Sequence, residues 1–388
     1  MVTPEEKNAQ ERARSALYGI ESYNDLIGDI RACVANVRVT QTARIRCANR
    51  VQKKADGTST KNASEVSEII RTSPAYREFA ERQLKKYQET EDAFEKYLED
   101  IVIKHPVYSD WLENVVGIKS SIAGTLLSEI KMENIFYRGQ IWKYSGTVGD
   151  TKRKKGEKAN YNVHLKARLL GVLATSFLKA ESEYSIYYYT YMCKKLSMYK
   201  ANGDAEYRKT NPLARMNRQA CRYMIQRFLN DYYVAWRTIM TQYLRDVTGD
   251  NSYEFPIISS YPEGVLGLVH VGNTPTKFED FYIPSSMSKH DKRELKNNFK
   301  KRRVETRRTL DELHQRVDEL KVACGFAQSL DECKDAVIKK HPEFKGMTYV
   351  QIREAKEKLG IGRGRKKNDS AEQETDLDFD ESILDEED

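Results

Sequence analysis

The chain has 388 residues, 65 Lys and Arg against 58 Asp and Glu, and 32% of it is charged. The formal charge of +7 conceals an asymmetry: Asp369–Asp388 carry eleven acids and no base, which leaves 65 bases against 47 acids, a balance of +18, up to Asn368. Such a body predicts a polyanionic partner; a membrane protein is excluded because no run approaches the roughly 18 apolar residues of a span, and MVTPEEKNAQERAR lacks the apolar run of a secretory leader.

Few prolines and glycines favour a mainly α fold, with long amphipathic or coiled-coil-like arms and a disordered acidic tail. Residues 1–110 read as a helical N-terminal region with a basic run at Arg44, Arg46, Arg50, Lys53 and Lys54. Ser73-Pro74 predicts a helix start. From there Ala80, Leu84, Tyr87, Glu91, Phe94, Leu98 and Ile101 step by four and three to about Lys104. The stripe suits a dimerising arm or packing within the chain, with a polar interruption at Glu91. Residues 111–248 are the most aromatic block. Asn211-Pro212 opens a long helix with Leu213, Met216, Ala220, Met224, Phe228, Tyr232 and Trp236 on one stripe.

Residues 249–287 read as an irregular arm in which VLGLVHV is a short strand or extended segment. Residues 288–324 read as a basic, coiled-coil-like helix: ten Lys or Arg and three acids fall in 289–308, and Leu310, Leu313, Val317 and Leu320 follow as a seam. Residues 325–362 form a small helical unit with capping-box patterns at Ser329–Glu332 and Thr348–Gln351. Residues 363–388 are a basic linker and an acidic tail too charged to fold alone.

Trp111 to Leu127 has the pattern of a helix-hairpin-helix. Gly117, Ile118, Lys119, Ser120 and Ser121 form its turn, where backbone N–H groups at a helix start suit a DNA phosphate. The loop Lys152, Arg153, Lys154, Lys155, Gly156, Glu157, Lys158 leads to Lys166 and Arg168, placing seven bases and one acid between Lys152 and Arg168. Arg215, Arg218 and Arg222 share one helix face beside the apolar stripe. Tyr184, Tyr188 and Tyr191 sit at helical spacing with Phe177 and Leu178, so they read as core rather than as nucleophiles. Gly362-Arg-Gly-Arg-Lys-Lys367 reads as a basic linker with some likeness to minor-groove hooks.

The six cysteines lack CxxC spacing, which predicts reduced thiols in a cytoplasmic protein and no metal. No phosphate-loop, dinucleotide or GxSxG signature occurs, so no cofactor is expected.

Taken in order, the Gly117-Ile118 turn, the apolar LLSEI, IWKYSG (Ile141 to Gly146), the basic loop, Asn160-Tyr-Asn162, Leu165–Leu170 and the helix Met216 to Arg237 resemble a known family. They resemble the C-terminal domain of Piv-type DNA invertases and related DEDD-type insertion-sequence transposases. The resemblance covers about a third of the chain. It implies a helical DNA-binding fold, a role in DNA transposition or recombination, and divalent metal only where a partner supplies a catalytic domain. That family's RuvC-like domain opens with strands bearing acids, whereas residues 1–110 here read as helical. Its catalytic serine has no counterpart in Thr147–Val163, which contains none. Ser145 is not assigned the nucleophile's role, and catalysis is left open. The expected partner is DNA, with self-association through the helical arms. Two alternatives remain: an RNA-binding protein, or a non-catalytic structural or interaction protein of phage or mobile-element origin.

Overall fold

Caps and prolines set where the helices of this chain begin, and the computed structural model follows them. It describes residues 2–51, 73–148, 158–202, 212–258, 278–284 and 286–359. Helix α1 (Pro4–Tyr18) opens on a complete capping box between Thr3 and Glu6. Helix α2 spans Glu21–Val51. Helix α3 (Pro74–Val102) starts at the predicted Ser73-Pro74, although the Ser73 side chain makes no cap bond. Helix α4 (Pro106–Asp110) is capped by the His105 imidazole, and α5 spans Ser120–Glu129. Helix α6 is Arg138–Tyr144, and α7 (Val163–Ala167) runs through a π-helical turn, Arg168–Leu173, into α8 (Ala174–Ala180). Next come α9 (Ser185–Asn202), α10 (Pro212–Thr248) and α11 (Lys289–Ala323). Short α12 (Leu330–Cys333) and α13 (Asp335–Ile338) precede α14 (Tyr349–Lys358). The fold is mainly helical, and among the described residues extended chain pairs only at one isolated bridge, Tyr137 to Ile258.

The chain divides into two units. The first comprises Met1–Arg138 and Asp231–Met287, the second Gly139–Asn230 and Ser288–Asp388.

In the first unit α2 and α3 pack along each other, and α5 packs on both. Ala80, Leu98 and Ile101 of the predicted stripe are buried, while Tyr87 stands 36% exposed. The stripe is thus used inside the chain. Glu91 is buried because Arg44 of α2 meets it, Nε to Oε2 at 2.6 Å. The thiols of Cys33 and Cys47 donate to the carbonyls of Phe94 and Ala80 across the same seam. A Cβ at Gly124 would lie 3.0 Å from Leu98 and 3.1 Å from Val34, so a glycine lets α5 sit this close. Trp111 is fully buried, stacks on Tyr232 at 6.3 Å between ring centres, and donates its indole N–H to the carbonyl of Phe278.

In the second unit Phe177, Tyr184 and Phe228 pack ring on ring at 5.1 and 5.4 Å, which places Tyr184 in the core as expected. Met192, Leu196, Met216, Ala220, Val317 and Leu320 form a further core joining α9, α10 and the C-terminal half of α11. Helix α14 is held against α11 by charge. Arg353 forks onto Asp311 at 2.5 and 2.7 Å and also reaches Glu181 at 3.2 Å. Asp318, with no exposed surface, accepts from the Tyr349 hydroxyl and from Lys321, and the Tyr349 ring stacks on His314. Thr348 and Gln351 form the predicted capping box. At Ser329 the hydroxyl accepts from the Glu332 N–H, but the Glu332 carboxylate turns to the N–H of Gln328.

Candidate nucleic-acid interface

The predicted hairpin turn lies in the first unit. Gly117 takes φ +98°, a backbone favouring glycine, and Ile118 is buried beneath the turn. Lys119 is exposed and extended as the N-cap of α5, with no side-chain cap bond. Ser120 and Ser121 form the first helical turn and are half-buried. Upstream stand five-residue α4 and the single 3₁₀ turn Leu112–Asn114 in place of a long first helix. The turn is therefore a capless helix start beside one exposed lysine.

The other predicted residues belong to the second unit. Lys152, Arg153, Lys154 and Lys155 lie outside the described residues, as do Asn211, VLGLVHV, the Gly362–Lys367 linker and the acidic tail. Lys158 is exposed. Arg168 opens the π-helical turn and is half-buried; such turns recur at functional sites. On α10 the three arginines are not equivalent. Arg218 is exposed, whereas Arg215 and Arg222 are half-buried and engaged within the protein. One turn beyond Arg222, Gln226 donates to the carbonyl of Thr147 at 2.8 Å. The flank of the basic loop is thereby tied to the arginine-bearing face of α10.

The motifs of the resemblance have local structural work. Ser145 has no exposed surface and bonds to Thr147 and to the carbonyl of Trp142, so it is closed to a substrate. Gly146 takes φ +63° beneath the Tyr161 ring, where a Cβ would fall 2.5 Å from the ring edge. Asn162 caps α7 by accepting from the Leu165 N–H, and its own N–H donates to the carbonyl of Tyr144. Lys166 lies over the Tyr161 ring at 4.8 Å.

Among the described residues, a further basic surface is one that motif reading missed. In the first half of α11, Lys289, Arg293, Lys296 and Lys300 are all exposed. They follow a four-three-four spacing, so at roughly 100° per residue they share one face. Asp291, Glu294 and Glu305 fall on the opposite face by the same count. Counting charges in 289–308 shows the excess; helical periodicity shows that these four bases line one face, while Lys301 and Arg302 fall on the side of the acids. Further along, Arg303 donates to the carbonyl of Ala180 and Arg307 pairs with Glu181 at 3.2 Å, so the second half of the segment serves the fold.

None of the six cysteines forms a disulfide. Burial raises the Cys33, Cys193, Cys221, Cys324 and Cys333 thiols above the ordinary range, which makes them poor nucleophiles. Among the described residues no three His, Cys, Asp or Glu gather as a metal site, and no helix is long and apolar enough to cross a membrane. No protein-family model, curated protein or solved structure matches the chain.

Proposed function

We propose that the protein binds nucleic acid through its phosphates, as a relative of insertion-sequence transposases and DNA invertases that acts in transposition or recombination. The observation that carries the binding reading is the exposed stripe Lys289, Arg293, Lys296 and Lys300, with its acids turned away. One exposed face of bases suits a phosphate backbone. Arg218, Lys158 and the loop at Lys152–Lys155 supply further bases in the same unit, and the capless, hairpin-like turn at Lys119 is a second phosphate contact. With Ser145 closed off, the reading is of a DNA-binding component, with strand chemistry supplied by a partner.

The test is binding to duplex DNA over a range of salt. The expected log–log slope is negative, and changing Lys289, Arg293, Lys296 and Lys300 together to Glu reduces it by about 3 to 4. Charge reversal at Lys152, Arg153, Lys154 and Lys155 weakens binding independently. Absence of salt-sensitive binding would sink the proposal. Copurified nucleic acid destroyed by ribonuclease but resistant to deoxyribonuclease would move the assignment to RNA.

A further inference from the structure

A cavity of about 170 Å³ opens in the first unit between α1, α2, α4 and the buried Trp236 of α10. Two of its features are unusual for a packed interior. His105 has no exposed surface. Its Nδ1 accepts from the Val107 N–H that it caps, which assigns the proton to Nε2, and Nε2 is buried with no partner. Burial pushes the imidazole down to about 3, so the ring stays neutral and Nε2–H remains a donor. The Glu133 carboxylate, 6% exposed, accepts from the Tyr18 hydroxyl at 2.7 Å on one oxygen and leaves the other for a second donor. Gly28 of α2 lies at the mouth of the cavity and is itself exposed, and a Cβ there would meet nothing within 4 Å.

The lining sets the ligand's chemistry. It holds one carboxylate, Glu133, and one guanidinium, Arg31, so its formal charge balances and favours a neutral occupant. Tyr23 and Trp236 supply aromatic walls, and Tyr23 lies 5.9 Å from the His105 ring. A cavity of roughly 150 Å³ accommodates benzene, so this one suits one six-membered ring. We propose that this cavity binds a neutral planar ring carrying a hydrogen-bond donor beside an acceptor, the edge of a pyrimidine base. The donor meets Glu133 and the acceptor meets His105 Nε2–H. The ring is a free base, or one base splayed out of a single strand onto aromatic walls.

Calorimetric titration of the full chain with uracil and cytosine tests this, with pyridine as a control of equal size that has an acceptor but no donor. Uracil or cytosine should bind, and pyridine about tenfold or more weakly. Gly28→Leu places a side chain at the mouth of the cavity and should weaken binding about tenfold or more, while its thermal midpoint equals or exceeds that of the wild type. His105→Asn keeps the capping oxygen, but its shorter amide cannot reach the position of Nε2–H, and it should weaken binding about tenfold. Oligouridylate at high salt separates the two sources: binding tighter than uracil indicates a base within a strand, and binding no tighter a free base. Salt-sensitive duplex binding by the α11 stripe should be unchanged in Gly28→Leu, so the two proposals fail separately. The inference is overturned if neither base binds at millimolar concentration, leaving only water in the cavity. It is also overturned if pyridine binds equally or Gly28→Leu binds as well as the wild type.

Discussion

Arg237 carries its guanidinium into the first unit with no exposed surface. The fork donates to the carbonyls of Pro256 and Ile135 and to Gln10 Oε1, and lies 4.7 Å over the Tyr233 ring. Burial lowers its pKa, but arginine keeps its proton. Three oxygens from separate segments therefore converge on one planar cation, and of these the Ile135 carbonyl also accepts from Gln10 Nε2. Arg237→Met leaves the Pro256 and Gln10 oxygens unsatisfied at about 1–3 kcal/mol each, so urea unfolding should show a loss of at least ~2 kcal/mol. Arg237→Lys should not rescue it, because an ammonium cannot span the fork. His105 makes a different prediction. Its folded pKa is about 3, below the ordinary value of 6.5. Between these values the unfolded chain binds a proton that the fold refuses, so stability rises with pH across that window. The contribution is complete above 6.5 and is lost as pH falls towards 3. At about 1.36 kcal/mol per pH unit, a drop to pH ~4.5 should remove roughly 3 kcal/mol. His105→Asn, which retains a capping oxygen, should lack this component of the acid sensitivity when the two midpoints are compared.

At the scale of elements, the seam between α2 and α3 turns on the Arg44–Glu91 pair, whose side chains are 19% and 5% exposed. Removing one partner strands a buried charge and should cost about 3–5 kcal/mol. Replacing both by Leu should recover most of that, since a well-packed apolar pair is often as stable as a buried ion pair. A double-mutant cycle checks it, and additive single losses would refute the coupling. This pair also marks where sequence reading stops. The helical spacing of Ala80, Leu98 and Ile101, the Ser73-Pro74 start and the Thr348 capping box were legible because each is set by neighbours within one or two turns. Glu91 read as an interruption because its partner lies 47 residues away on another helix. The same distance in sequence hid Arg237, whose Gln10 acceptor is 227 residues removed. Arg215 and Arg222 looked free because no acid stands near them in the chain, yet both are engaged in the fold. The α11 stripe needed no tertiary information. It was missed because bases were counted rather than placed on a wheel.

For the whole molecule the governing quantity is charge, and it has a sign change near its C-terminal end. The body to Asn368 carries +18, and eleven acids follow without a single base. A tethered polyanion acts at an effective concentration set by its linker, of millimolar order for short flexible tethers. It should therefore compete with non-specific nucleic acid for the exposed bases, and do so by screened Coulomb forces. Deleting Asp369–Asp388 should raise duplex affinity several-fold at ~0.01 M salt, where the Debye length is about 30 Å. The gain should vanish near 1 M, where that length is about 3 Å. A tail of equal length with Asn and Gln in place of the acids should behave like the deletion, because the competition is electrostatic and not steric. Combining the deletion with Glu at Lys289, Arg293, Lys296 and Lys300 identifies the surface involved. If the tail competes at the α11 stripe, the deletion gives no gain in that background. A full gain there moves the competition to the bases at Lys152–Lys158, and unchanged affinity at every salt concentration reduces the tail to a solubility device.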